Sequence, residues 1–130
     1  CLQVLFQLEF HPESPSVVLD EFWSEKKVPL EVREYTEWLV KGISARREFI
    51  DELIQSVSQH WKLERMSVVD RNILRLAVFE FLEESHIPPA IIINEAIEIA
   101  KKFSTEKAGV FVNGILDAVR KKLESGDVIP

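Results

Sequence analysis

Between Ile73 and Leu82 the chain points apolar side chains to nearly every side of a helix. Ile73, Leu74, Leu76, Ala77, Val78, Phe79, Phe81 and Leu82 leave only Arg75 and Glu80 polar in that stretch. Such positions share no single stripe, so the helix has to be covered around most of its circumference. It therefore forms the middle of a bundle. At 130 residues the chain is one ordinary domain, spanning 1–130, long enough to bury a core without disulfide or metal staples. Four glycines and six prolines leave sparse punctuation, which favours long helices over a many-stranded sheet. The expected class is all-α.

Helical spacing continues on either side. Leu2, Leu5 and Phe6 open a first helix that ends at His11-Pro12, because the residue before proline leaves the α region. Ser14 caps a second helix with Pro15 at its first position and Val18, Leu19, Phe22 and Trp23 as its stripe. A third, long helix runs from Leu30 to Gln59, its seam formed by Val32, Leu39, Ile43, Ile50, Leu53, Ile54 and Val57. Gly42 inside it costs about 1 kcal/mol against Ala and so marks a close helix contact. Ser67 and Asp70 form a capping box for the central helix. Pro88-Pro89 starts the next, with Ile93, Ala96, Ile97 and Ala100 inward. Ser104 or Thr105 caps the last, which carries Val112, Ile115, Leu116, Val119 and Leu123 and closes at Ser125-Gly126. That makes six helices and no strand.

A net charge of −6 argues against a protein that coats nucleic acid by bulk electrostatics. The charge is uneven, however: residues 1–60 carry eleven acids and six bases, and residues 91–130 carry six of each. A polyanion site is therefore expected to be local and to lie in the second half. The single cysteine, Cys1, forms no internal disulfide and is consistent with a reducing, cytoplasmic setting. No apolar run approaches a membrane span.

Catalytic patterns are missing. His11, His60 and His86 fall in connectors, no Cys/His ligand spacing occurs, and no glycine loop is shaped to cradle phosphate. The expectation is a binding protein without cofactor or metal. Lys101, Lys102 and Lys107 gather at the joint of the last two helices beside Phe103 and Phe111. Cations that hold phosphates next to rings that stack on unpaired bases suit single-stranded RNA. The alternative is that both rings are core and the lysines only solubilise. Arg120-Lys121-Lys122, in the final turns of a helix, reads as a complement to the helix dipole.

Several motifs in order resemble the NusB family of bacterial transcription antitermination factors. They are Asp70-Arg71-Asn72-Ile73-Leu74-Arg75-Leu76-Ala77-Val78-Phe79-Glu80, then Ile87-Pro88, then Ile93-Asn94-Glu95-Ala96-Ile97 through Phe103, and Phe111-Val112-Asn113-Gly114-Ile115-Leu116-Asp117. Leu2-Gln3-Val4-Leu5-Phe6-Gln7 resembles the family's first-helix motif. The resemblance implies a fold of two packed helical subdomains with six to seven helices, and no catalysis. It implies binding to the boxA element of ribosomal RNA leader transcripts together with the ribosomal protein NusE, within the RNA polymerase antitermination complex. The RNA face would comprise Phe6, Lys101, Phe103, Glu106, Lys107 and Asn113. The protein-partner face would use Glu64, Asp70, Arg71 and Leu74. Asn94 and Gly114 take structural roles, the first by local hydrogen bonding and the second by permitting close packing.

Two departures from the family pattern stand out. The family's arginine-rich stretch before the first-helix motif is not in the chain as given, so the phosphate contacts it supplies are expected to be missing here. Lys107 occupies a position often acidic in the family, and a cation there favours a polyanion. Two other classes stay open: the RNA-recognition domain of an rRNA cytosine methyltransferase, and a non-catalytic dimerising helical module. Some relatives self-associate, which keeps a homodimer among the expectations.

Overall fold

The computed structural model describes residues 30–58, 62–83 and 87–125. They form five α-helices: α1 (Leu30–Ala45), α2 (Arg47–Val57), α3 (Val68–Glu83), α4 (Pro89–Phe103) and α5 (Glu106–Glu124), with a 3-10 turn at Leu63–Arg65. No strand occurs among the described residues. The two helices expected before Leu30 lie outside them, as do Cys1, His11, His60 and His86. Where spacing predicts four helices from Leu30 onward, the structure has five.

The difference arises at Arg46. The predicted single helix from Leu30 to Gln59 breaks there, with φ −109° and ψ 15°. A straight helix of that length would run roughly 45 Å, whereas the 16 residues of α3 span about 24 Å. Bending brings both halves of the seam onto the same central helix. The backbone ladder bridges the bend: Arg46 N–H donates to Gly42 O at 3.1 Å, and Ile50 N–H donates to Arg46 O at 3.0 Å. The Arg46 guanidinium also donates to Glu83 Oε1 of α3 at 2.6 Å and lies 5.3 Å from the Phe49 ring centre.

Helix α3 is central, as its all-round apolar pattern requires. It packs against all four of the other described helices, α1, α2, α4 and α5. Ile73, Leu74, Ala77, Val78 and Phe79 are all buried, and large apolar side chains of this kind contribute about 1.5–3 kcal/mol each when removed from water. Helices α4 and α5 form a hairpin with the most extensive helix contact among the described residues. Ala96, Ala100 and Ala108 are buried, and small side chains bring helix backbones close.

The caps follow the sequence. Asp70 N–H donates to Ser67 Oγ at 3.1 Å, and Ala108 N–H donates to Thr105 Oγ1 at 3.1 Å, so Thr105 rather than Ser104 caps α5. The acid half of the predicted capping box stays open at one oxygen: Asp70 Oδ1 is buried without a hydrogen-bond partner. Aspartate is one methylene shorter than the glutamate that normally reaches back to the cap.

Two glycines have opposite meanings. At Gly42 an added Cβ would stand 2.4 Å from Phe79 Cζ and 2.6 Å from Cε1, so the close contact read from the sequence is real. At Gly114, which is exposed, no described residue lies within 4 Å of an added Cβ, so the packing role read for it finds no partner among the described residues. Gly114→Ala is expected to raise stability by about 1 kcal/mol through helix propensity alone. Thermal melting checks this, and an unchanged or lower Tm would contradict it.

One buried network escapes the sequence reading. Arg75 is 4% exposed. Its Nε and Nη2 donate to the two carboxylate oxygens of Asp51 on α2 at 2.7 and 3.0 Å, and its Nη1 donates to Asn72 Oδ1 at 3.1 Å. Asn72 Nδ2 in turn donates to Val68 O at 2.9 Å. A charge inside a helix covered on all sides needs such a partner, and that requirement was the available signal.

Candidate nucleic-acid interface

The joint between α4 and α5 is fixed by the Thr105 cap and by the buried small residues on both helices, and it presents the predicted basic and aromatic residues. Phe103, in the last turn of α4, is 53% exposed, with Lys102 Nζ 5.4 Å from its ring centre. The two rings read together in the sequence therefore part company. Phe103 faces solvent, while Phe111 is half-buried against the core.

The three lysines are not one patch. Lys101 lays its stem across Gly109 of α5, with Cγ and Cε 3.6 and 3.7 Å from where a Cβ would be. Its ammonium stands 3.9 Å from Glu98 Oε1. Lys102 leans on Phe103. Lys107 lines a cleft of about 400 Å³ between the approach to α3 and the start of α5, with Arg65, Met66 and Asp70 opposite and Thr105 and Phe111 beside it. Since successive helix residues turn about 100°, the Lys107–Phe111 edge of α5 and the Gly109–Asn113 edge point nearly opposite ways. Asn113 is exposed. Between the edges stands Val110, 77% exposed. Residues predicted for RNA thus straddle a helix, and Lys107 is brought beside Asp70 of the predicted protein face.

On that protein face, Asp70 and Arg71 are half-buried at the surface of the first turn of α3. Leu74 is different: it is 0% exposed. Helix α3 is sunk so far into the bundle that Leu74 supports this edge from within instead of presenting a contact. Asn94 is exposed on α4 and makes no local hydrogen bond among the described residues, contrary to the structural role read for it. Phe6 lies outside the described residues, as do the side chains of Glu64 and Glu106.

The last basic cluster is tied down. Arg120 donates to Asp117 Oδ1 at 2.6 Å and to Glu124 at 3.4 Å, Lys121 pairs with Asp117 at 3.2 Å, and Lys122 Nζ donates to Ser56 Oγ of α2 at 2.9 Å. The hydrogen bond from Arg120, then that from Lys121, holds the Asp117 carboxyl below the usual carboxylate range. These cations serve their own helix and its neighbour. Among the described residues no group of His, Cys, Asp and Glu is arranged to hold a metal, and no helix is long and apolar enough to cross a membrane.

Comparison with known proteins fits this arrangement of helices. The chain is 46% identical over 123 residues to the transcription antitermination protein NusB of Anaeromyxobacter dehalogenans (strain 2CP-1), covering 94% of this chain and 86% of that protein. Its structure superposes on T. maritima NusB with a TM-score of 0.84 at 41% identity, covering 98% of this chain and 92% of the other. A TM-score of 0.79 at 32% identity relates it to a NusB chain crystallised with NusE and double-stranded RNA, covering 92% of this chain and 89% of that one. The sequence model of the NusB family matches residues 1–121, and with the helical bundle and these relatives it shows that the chain belongs to the NusB family.

Proposed function

We propose that this protein is a transcription antitermination factor that binds boxA-type single-stranded RNA of ribosomal RNA leader transcripts together with the ribosomal protein NusE, within the RNA polymerase antitermination complex. The observation that carries the RNA half is Phe103. A phenylalanine 53% exposed at a helix end, flanked by exposed Lys101 and Lys102, has no core role and suits a base that stacks while cations hold the phosphates. Asn113 adds an amide on the same side as Lys101. Membership of the NusB family supports the partner, since a family structure at 32% identity contains NusB, NusE and RNA together. The protein docks through the surface of the α3 opening, Asp70 and Arg71, with Lys107 at the boundary between partner and RNA. Phe6, Glu64 and Glu106 belong to the same reading by resemblance.

The RNA in that related complex is double-stranded, so the proposal separates strand state from sequence. Titration of single-stranded boxA RNA, a scrambled strand and a duplex, each with and without NusE, is the test. Tighter binding of the boxA strand in the presence of NusE is expected. Equal affinity for boxA and scrambled RNA would remove the antitermination reading. Phe103→Ala is expected to weaken boxA binding about tenfold, the loss of one base stack, with no change in melting temperature.

A further inference from the structure

We propose that Gly109 is a positioning residue that lays the Lys101 ammonium along the α4–α5 seam, where it meets an RNA phosphate. This inference rests on the reading of Lys101 as an RNA contact. Gly109 is buried beneath the lysine stem: a Cβ there would stand 3.4 Å from Ile97 Cγ2, 3.6 Å from Lys101 Cγ and 3.7 Å from Lys101 Cε. Two carbons of one flexible chain thus lie within van der Waals reach of the space that a side chain at 109 would fill. Lysine is otherwise a point charge on a mobile four-carbon stem, and here the stem is seated before any ligand arrives.

The ion pair with Glu98 does not explain the placement. Its 3.9 Å separation and side chains 52% and 75% exposed make it a loose surface pair, a kind that holds little. The stem runs instead past Ile97, over the space that the missing side chain of Gly109 leaves open. Gly109 and Asn113 are also one turn apart on α5 and so neighbours on one face, which places the seated lysine on the edge where Asn113 is exposed. The space admits a methyl group, since every contact of an added Cβ falls at ordinary van der Waals distance. A branched side chain has no room without lifting the lysine stem off the helix.

The test uses the full-length protein and single-stranded boxA RNA over a salt series. Lys101→Ala is expected to weaken binding about tenfold, as loss of a charge-assisted bond does, and to lower the slope of log K against log salt by about 0.7, one phosphate's share for a single strand. Gly109→Ala keeps both values. Gly109→Leu reproduces the Lys101→Ala loss and slope, and the double variant is no worse than either single one. A purely structural role for Gly109 would move affinity without moving the slope. In the unsubstituted protein, carbon relaxation at Lys101 Cε is expected to show more order than at Lys102 Cε, a readout that stands whether or not Gly109→Leu folds. If Lys101→Ala weakens binding while a folded Gly109→Leu does not, or if the two Cε carbons are equally mobile, the positioning role is wrong and the RNA site stands. If Lys101→Ala changes nothing, the RNA assignment of Lys101 is itself overturned.

Discussion

Asp51→Ala is expected to destabilise the protein by about 3 kcal/mol, at the lower end for breaking a buried ion pair, and to lower Tm by roughly 10 °C. The reason lies in what is left behind. The Arg75 side chain is 5% exposed and that of Asp51 is 23% exposed. Removing the carboxylate takes two charge-assisted hydrogen bonds from a guanidinium inside the bundle, which keeps its bond to Asn72 Oδ1, and arginine does not escape by losing its proton. Arg47, 3.6 Å from Asp51 and 46% exposed, loses only a surface pair, worth up to about 1 kcal/mol. A paired replacement, Asp51→Leu with Arg75→Met, removes both charges and is expected to recover most of the loss. Chemical denaturation of the three variants decides the matter. An Asp51→Ala protein as stable as the parent would show that the pair carries no weight.

Gly42→Ala is expected to lose about 2 kcal/mol even though alanine is the better helix former by about 1 kcal/mol. The added methyl enters the space of the Phe79 ring. That ring is 2% exposed, and Trp38 packs on it edge-on with ring centres 5.3 Å apart. It is a stiff plate held on two sides, so the clash is relieved only by separating α1 from α3. Combined with Phe79→Leu, which shortens the plate, Gly42→Ala is expected to be far less harmful than on its own. Additive losses in the double variant would contradict this account, since residues in contact couple and remote ones do not.

What was readable in the sequence follows from what each signal reports. The all-apolar run from Ile73 to Leu82 reports burial, and it placed the central helix. Gly42 reports an absence of side chain inside a good helix, and it located a contact. The break at Arg46 carries no such mark. No proline or glycine sits at the bend, and its origin is the mismatch between a long seam and a short central helix. Gly114 shows the converse limit, because a glycine reports the lack of a side chain and not the reason for it. For the site, residue types at Lys101, Phe103 and Lys107 were legible, but their directions were not. One ring exposed and one packed, and three lysines pointing three ways, depend on how α4 and α5 are rotated about their axes. The Arg75–Asp51 pair spans 24 positions, beyond the reach of any local pattern.

The nearly opposed edges of α5 make that helix a partition. A ligand seated over Lys101 and Asn113 and another in the cleft beside Lys107 and Asp70 are separated by the helix itself and by the crest of Val110. Each occupies its own compartment, and neither has to vacate for the other. On the proposed reading, a strand of RNA that touches both sides crosses α5 at the exposed Val110.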